Sequence, residues 1–504
     1  MNVSSAPVPR RPPVQLVVFV VGASSLGAEI AAARLLAPYF GASTIVWANT
    51  IATVLVALSA GYWIGGRLAD RNPTMRGMCG LVLGAAGLLA VVPFAVGPFL
   101  RTSVKAFDAL SAGAFFGSLF GVLALVAVPV VLLGAVAPYA IRLSVRTVEE
   151  SGAVAGRLYA ISTFGSLVGV FVSALVTIPF LGTRRTFLAF ALALALVGVL
   201  GLGRRWAAAP LVLIVLIAVP VGTVKGSDGA RVIWERETPY QYARVTEDSD
   251  GRRELELNEG QAVHSVYRPD TVLTGDYWDG FLVLPFAART QAPRRVAILG
   301  NAAGTTARAY GRFFPAARID GVEIDQALTE VGRERFGMDN PRLRTFAQDA
   351  RPFLARQDDG RYDAIFVDTY RQPYIPFYLA TREFFELARD KLAPGGVVVV
   401  NVGHPRDSRR LERVLAATMR EAFPTVLRDP IEDTNVLLVG TAARGAGAAR
   451  LRAAPLHPDL RSIALAEARH LAPGLPGGDV YTDDRAPVEW LIDSSIVEYA
   501  AGGG

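Results

Sequence analysis

The sequence predicts a multi-pass α-helical membrane domain followed by an α/β domain with a parallel sheet and a small N-terminal β-hairpin subdomain. Three observations carry this reading. The apolar excess is concentrated before residue 224, although 52% of the whole chain is hydrophobic and 19% charged. The N-terminal apolar runs have the length of a bilayer crossing, about 17–25 residues. Beyond residue 230 the apolar runs shorten and alternate between strand and helix periodicity, the pattern of a doubly wound sheet. The expected boundaries are an N-terminal tail 1–13, a transmembrane domain 14–225, a β-hairpin subdomain 226–290, a cofactor-binding domain 291–440 and a C-terminal extension 441–504.

Apolar runs recur near 14–36, 44–66, 77–100, 115–138, 156–180, 186–203 and 207–223, which predicts about seven spans. The first is too long to resemble a cleaved signal peptide. Gly61, Gly65, Gly66, Gly84, Gly87, Gly165 and Gly169 lie within these runs, where small residues let helices approach closely. With the N-terminus inside, ten arginines fall on inner segments (Arg10, Arg11, Arg67, Arg71, Arg76, Arg142, Arg146, Arg157, Arg204, Arg205). Four basic residues, Arg101, Lys105, Arg184 and Arg185, fall on outer loops. That is a positive-inside bias. An odd span count conflicts with it, because seven crossings would carry the α/β domain outside. Either one span is miscounted, since 207–223 is short and 101–140 could hide a second crossing, or the α/β domain faces outward. Glu29 is the one acid well inside an apolar run, a position that is costly in lipid and often functional.

Charge and reactive residues exclude several classes. The net charge of +6 and pI of 9.5 are explained by arginines flanking apolar runs, so nucleic acid is not an expected partner. The single Cys79 forms no intramolecular disulfide. The four histidines (His264, His404, His457, His470) show no HxH or HxxxH spacing, and no metal is expected, since transition-metal sites need clustered N or S ligands.

In the C-terminal half, short strands are expected at 231–234, 241–246, 254–257 and 262–267, with 247–251 as a hairpin loop. Strand 295–299 then leads into Gly300-Asn301-Ala302-Ala303-Gly304, and strand 318–324 carries Glu323. Strand 344–347 ends at Asp349, strand 362–367 at Asp368, and Val397–Asn401 reads as a central strand covered on both faces. Ligands of such Rossmann-like sheets bind beyond the carboxyl ends of the strands. A glycine loop there lets a ligand approach the backbone. Glu323 lies 23 residues beyond Gly300, near the offset of a ribose-binding acid. Acids around the site suit a cationic sulfonium rather than a pyrophosphate. The competing role for strand-end acids is helix capping, which fits Asp349 before Ala350-Arg351-Pro352. It does not fit Asp368, which precedes the loop Thr369–Pro373.

At these residues the chain resembles the spermidine synthase (polyamine aminopropyltransferase) family, and specifically its membrane-fused members. The likeness includes Glu237-Thr238-Pro239-Tyr240-Gln241, the loop 300–304, Gly321–Asp325, Gln348–Arg351, Phe366–Tyr370 and the closing Tyr481–Glu489. In the N-terminal half it includes Gly27-Ala28-Glu29 with Arg34 and Gly41, and Gly65–Arg71. The resemblance implies a Rossmann-like fold of the methyltransferase/spermidine synthase type. It also implies aminopropyl transfer from decarboxylated S-adenosylmethionine to an amine such as putrescine, releasing methylthioadenosine. By position, Gln241, Gly300, Gly304, Glu323, Asp349 and Ala350 would hold the co-substrate, and Asp368 would accept the proton of the attacking amine. Tyr277, Asp279 and Tyr370 would line the amine site. A homodimer and a cell-membrane location with the α/β domain cytoplasmic are compatible with it.

The departures are Ala303 for the family's glycine-loop aspartate, Trp278 within its Tyr-His-Glu segment, and Arg371 for the second acid of its DSSDP-like loop. A cation at Arg371 opposes a diammonium. His264 stands either at the mouth of the site or on a strand facing solvent. Two other readings stay open. One is methyl transfer from S-adenosylmethionine, whose carboxylate would need a cationic clamp such as Arg351 or Arg371. The other is a polyamine transporter or sensor with a non-catalytic nucleoside-binding domain.

Overall fold

The computed structural model describes residues 12–40, 44–108, 119–219, 230–258, 263–369, 375–404, 408–488 and 491 of the chain. Tyr370 and Arg371 lie outside the described residues. The chain divides into two compact units, 1–226 together with 237–242, and 227–236 together with 243–504.

Among the described residues the N-terminal unit holds six helices long and apolar enough to cross a membrane. They are α1 (Val14–Leu36), α2 (Trp47–Arg71), α3 (Met75–Ala95), α4 (Leu119–Ser144), α5 (Ser151–Leu181) and α6 (Thr183–Leu202). The seventh apolar run forms only α7 (Ala208–Ala218), 11 residues. At 1.5 Å per residue that is about 16 Å, roughly half a hydrocarbon core. Glycines set the closest helix approaches. A Cβ at Gly165 would stand 2.3 Å from the Phe19 carbonyl oxygen, one at Gly169 2.0 Å from that of Ala23, and one at Gly65 2.4 Å from Ala135. Gly66 and Gly87 meet nothing within 4 Å, so the small-residue packing expected of them is absent there. Large apolar side chains face outward, among them Val56 (68% exposed), Trp63 (63%) and Phe180 (79%).

The second unit opens with a four-stranded sheet in the order β1-β2-β3-β4: β1 (Arg231–Glu237), β2 (Tyr242–Glu247), β3 (Arg253–Leu257) and β4 (Val263–Tyr267). β2 and β3 pair antiparallel across a turn in which Gly251 takes a φ of +81°. Helix α8 (Trp278–Val283) follows.

The main sheet has eight strands in the order β12-β10-β11-β9-β8-β5-β6-β7. Its parallel part is β5 (Arg295–Leu299), β6 (Arg318–Glu323), β7 (Leu343–Ala347), β8 (Tyr362–Val367) and β9 (Leu392–Gly403). The intervening helices are α9 (Thr305–Phe313), α10 (Gln326–Arg335), α11 (Ala350–Ala355) and α12 (Arg382–Lys391). Helix α13 (Arg410–Ala422) then leads into β10 (Thr425–Asp429) and β11 (Asn435–Thr441), which pair antiparallel with each other, β11 also with β9. The run Val397–Val400 is central, as expected: Val398 and Val400 enter one core layer with α12 and α13, while Val397 and Val399 enter the opposite one with α8 and α9. Each buried valine contributes about 1.5–3 kcal/mol, which fixes register, because a one-residue slip would exchange the two faces.

Part of the expected C-terminal extension is structured. It supplies α14 (Ala448–Arg452), α15 (Pro458–His470) and a short strand β12 (Ala472–Pro473) that pairs with the exposed edge of β10.

Candidate functional site

The glycine loop lies where β5 ends. Gly300 and Asn301 both donate their N–H to the Val322 carbonyl, at 2.9 and 3.0 Å, which bends the chain across the end of β6. Gly300 takes a φ of +84°, and a Cβ there would stand 2.3 Å from the Asp368 carbonyl oxygen. Both conditions require glycine, for conformational freedom and for close backbone contact. Gly304 starts α9 with a φ of +87°, leaving first-turn N–H groups pointing along the helix axis. Ala302 holds a φ of 43°, unusual for a residue with a side chain. It is fixed by a hydrogen bond from its N–H to Glu323 Oε2 at 3.0 Å.

Glu323 is buried at the end of β6, and its Oε1 accepts the Asp325 N–H at 3.0 Å. Burial pushes its carboxyl up to about 7, an effect its backbone donors oppose. Asp325 performs the capping that a helix start requires, accepting the Ala327 N–H at 3.1 Å, so Glu323 is spared that role. At the end of β7, Asp349 does cap its helix, accepting the Arg351 N–H at 3.0 Å, and its Oδ2 accepts the Tyr378 hydroxyl at 2.6 Å. The capping alternative is thus present in the geometry of Asp349, with Ala350 buried as the first residue of α11.

Asp368, after β8, is held differently. Its Oδ1 accepts Asn401 Nδ2 at 2.9 Å, and its carboxylate accepts the Tyr277 hydroxyl at 3.1 Å to Oδ2. Trp278 also donates to it. Burial pushes the carboxyl up to about 6, while the three donors pull it down. Asn401 is itself oriented, since its Oδ1 accepts Asn435 Nδ2 at 2.9 Å. The Tyr277 N–H donates to Glu432 Oε1 at 2.7 Å, and its ring stacks on Trp278 with centroids 4.2 Å apart. The result is a carboxylate with clamped orientation and a basicity close to neutral pH, as a proton acceptor needs.

One loop thus links two of the expected acids: Gly300 rests on the Asp368 peptide and Ala302 on the Glu323 carboxylate. Asp279 is held in a turn of its own. Its oxygens accept the Thr274 N–H (3.0 Å), the Thr274 hydroxyl (3.2 Å) and the Gly275 N–H (2.9 Å), so it closes the 274–275 turn rather than lining an amine site. Gln241 is buried and joined to Thr238 in the 237–242 segment, which belongs to the N-terminal unit. Tyr370 falls outside the described residues. His264 does not face solvent: its Nε2 is buried, and burial pushes the ring down to about 4, keeping it neutral. Sequence reasoning missed Asn401, Asn435, Glu432 and the donor role of Trp278. Asn401 had a signal, since it ends the apolar run Val397–Val400 as Asp368 ends that of β8.

Arg351, a candidate clamp for a carboxylate ligand, is already paired. It binds Asp483 in bidentate fashion (2.7 and 2.6 Å) and donates to the Tyr378 carbonyl at 2.9 Å. Asp483 lies in the C-terminal segment 481–489 and also accepts the Thr381 hydroxyl at 2.8 Å.

The α/β unit is similar to known proteins. Residues 283–430 match the spermine/spermidine synthase domain. A probable polyamine aminopropyl transferase of Bifidobacterium longum is 38% identical over 192 residues, covering 38% of this chain and 42% of that protein. Polyamine aminopropyltransferase 2 of Pseudomonas aeruginosa is 29% identical over 209 residues, covering 39% of this chain and 56% of that protein. The chain therefore matches about half the length of these relatives. The crystal structure of a probable spermidine synthase from Corynebacterium glutamicum aligns over 52% of this chain and all of that one, with 21% identity and a TM-score of 0.38. Within its α/β unit, residues 283–430 therefore form a spermine/spermidine synthase domain, similar in sequence to polyamine aminopropyltransferases.

Proposed function

We propose that this chain is a membrane-bound aminopropyltransferase that moves an aminopropyl group from decarboxylated S-adenosylmethionine to an amine. The observation that carries the reading is Asp368, a carboxylate of raised basicity clamped by Tyr277 and Asn401 against the glycine loop. In the reaction the acceptor nitrogen attacks the methylene carbon next to the sulfonium. The new C–N bond forms as the C–S bond breaks, sulfur leaves with the bonding pair as neutral methylthioadenosine, and a proton passes from nitrogen to Asp368. An ammonium has no lone pair to attack with, so a neighbouring carboxylate that takes its proton is essential. Glu323 and the N–H groups opening α9 are suited to the ribose and adenosyl portion, with Asp349 and Ala350 beside them. Holding the amine at the reacting carbon supplies much of the remaining acceleration.

Methyl transfer is the weaker reading. Its cofactor carries a carboxylate, and Arg351, the clamp within the described residues, is committed to Asp483. The two readings part on products. The full-length protein in detergent is offered each cofactor with a panel of mono- and diamines. Methylthioadenosine from the decarboxylated cofactor is expected, whereas S-adenosylhomocysteine from S-adenosylmethionine alone would reverse the assignment.

The membrane reading rests on the six long apolar helices and on their outward-facing Val56, Trp63 and Phe180, which in water would be an unusually large apolar surface. With six crossings, the positive-inside bias puts the N-terminus and the α/β unit together on the cytoplasmic side. Cysteine labelling from either side of sealed vesicles tests it: a residue placed in the 248–251 hairpin turn should react only with cytoplasmic reagent. Reaction from the opposite face would mean that α7 contributes a crossing after all.

A further inference from the structure

Asp429 closes β10, and Glu467 and His470 lie one turn apart at the end of α15. His470 Nδ1 stands 3.2 Å from Asp429 Oδ1 and 3.6 Å from Glu467 Oε2. Each of the three offers a ligand atom within 4.8 Å of the others. Asp429 is fully buried and Glu467 is 7% exposed, while the His470 side chain is 45% exposed. Asp429 Oδ2 and Glu467 Oε2 are buried and meet no donor.

Two carboxylates pressed together in a low-dielectric interior cannot both stay charged without a counter-charge. Burial pushes both upward, and the Asp429 charge raises Glu467 further, while a hydrogen bond with Glu467 and the Arg428 charge hold Asp429 back. The nearby guanidinium does not settle the account, because Arg428 is engaged by Glu412. Asp279, the other charge facing Glu467, is also an acid. A proton shared by the two acids, a protonated His470 beside them or a bound cation would each supply that counter-charge.

The geometry suits the cation. Ligand atoms about 2.1 Å from a tetrahedral ion lie roughly 3.4 Å from one another; the two spacings to His470, 3.2 and 3.6 Å, bracket that value, and the two carboxylates lie within 4.8 Å of each other. The ligand set is one imidazole nitrogen and two carboxylate oxygens, with the half-exposed His470 edge as the way in. We propose that Asp429, Glu467 and His470 form a binding site for a divalent transition-metal ion of the zinc class, tying α15 to β10. The ladder Asp429–Leu437–Asn401 places it two strands along the sheet from Asn401, about 10 Å away. The ion therefore braces the flank of the Asp368 site and takes no part in the reaction. Searching the sequence for clustered histidines could not find it, because its ligands come from a strand and a helix 38 residues apart and only one is histidine.

The test uses the full-length chain in detergent, stripped with a chelator, equilibrated with Zn²⁺ and freed of excess. One zinc per chain and a raised Tm are expected. Glu467→Gln and His470→Ala should each bind zinc at least ten-fold more weakly, while His457→Ala binds like the wild type. Glu467→Gln keeps the shape of the protonated acid and should melt no lower than the metal-free wild type, so loss of zinc cannot be ascribed to unfolding. No retained zinc, or zinc retained equally by Glu467→Gln and His470→Ala, would overturn the proposal and leave an acid pair sharing a proton.

Discussion

The carboxyl ends of β6 and β7 and the carboxyl end of β8 carry the same kind of side chain in two different settings. Glu323 and Asp349 accept backbone N–H groups, of Ala302 and Asp325 in one case and of Arg351 in the other, with the Tyr378 hydroxyl as a further donor to Asp349. Asp368 is tied to side chains, the Tyr277 hydroxyl and the Asn401 amide. Backbone donors hold an acid as part of the scaffold, and its removal is felt as lost order around it. Side-chain donors fix orientation and tune basicity, and leave the acid free to exchange a proton. On the proposed reading, the contrast separates residues that shape the co-substrate site from the proton acceptor.

The largest difference should come from Asp368. Asp368→Asn should lower methylthioadenosine formation by about 10²–10⁴-fold, the usual weight of general-base catalysis, with the melting transition retained. An amide that supported near-normal turnover would dissolve the distinction.

Next come its holders. Tyr277→Phe and Asn401→Ala each remove a donor that stabilises the charged form, so the Asp368 carboxyl should rise further above about 6. The acid limb of the pH–rate profile should shift upward, with a loss of about ten-fold at neutral pH. An unmoved limb with a uniformly lower rate would mean that these residues only pack the site.

A smaller effect is expected at Glu323, read by calorimetry with methylthioadenosine as ligand. Glu323→Gln leaves one backbone N–H without its acceptor, costing about 1 kcal/mol of stability, and should weaken binding several-fold. The sign of its pH dependence is fixed. Because the folded carboxyl sits at about 7, above its ordinary 4.5, its contribution to stability is complete below about 4.5 and is lost as pH rises through about 7. Denaturation of the variant from pH 5 to 8 should lack that decline.

The smallest effect is at Asp349. Asp349→Ala removes a helix cap worth about 1 kcal/mol and should lower Tm modestly. If it abolished turnover as Asp368→Asn does, the two regions would not differ in kind.

Much of this contrast was legible in the sequence. The loop 300–304 with Glu323 in step and Asp368 before a non-helical loop follow from strand-end logic, and Asp325 as the true cap of α10 follows from its position. Local pattern misled at Asp279, which matches a family acid but satisfies the 274–275 backbone. It was silent on Asn435 and Glu432, whose partners lie 34 and 155 residues away. Nor does apolar composition in 207–223 reveal that the helix Ala208–Ala218 is only 11 residues long. Patterns of spacing report which face a residue takes, while side-chain partners across a sheet are set by tertiary packing.

The most direct test is single-turnover formation of methylthioadenosine by the full-length protein, from decarboxylated S-adenosylmethionine and an amine, between pH 5 and 8. The rate should climb through about 6 to a plateau, and Asp368→Asn should lose both the rate and the limb. A wild-type profile retained by Asp368→Asn would contradict the assignment of Asp368 as the proton acceptor.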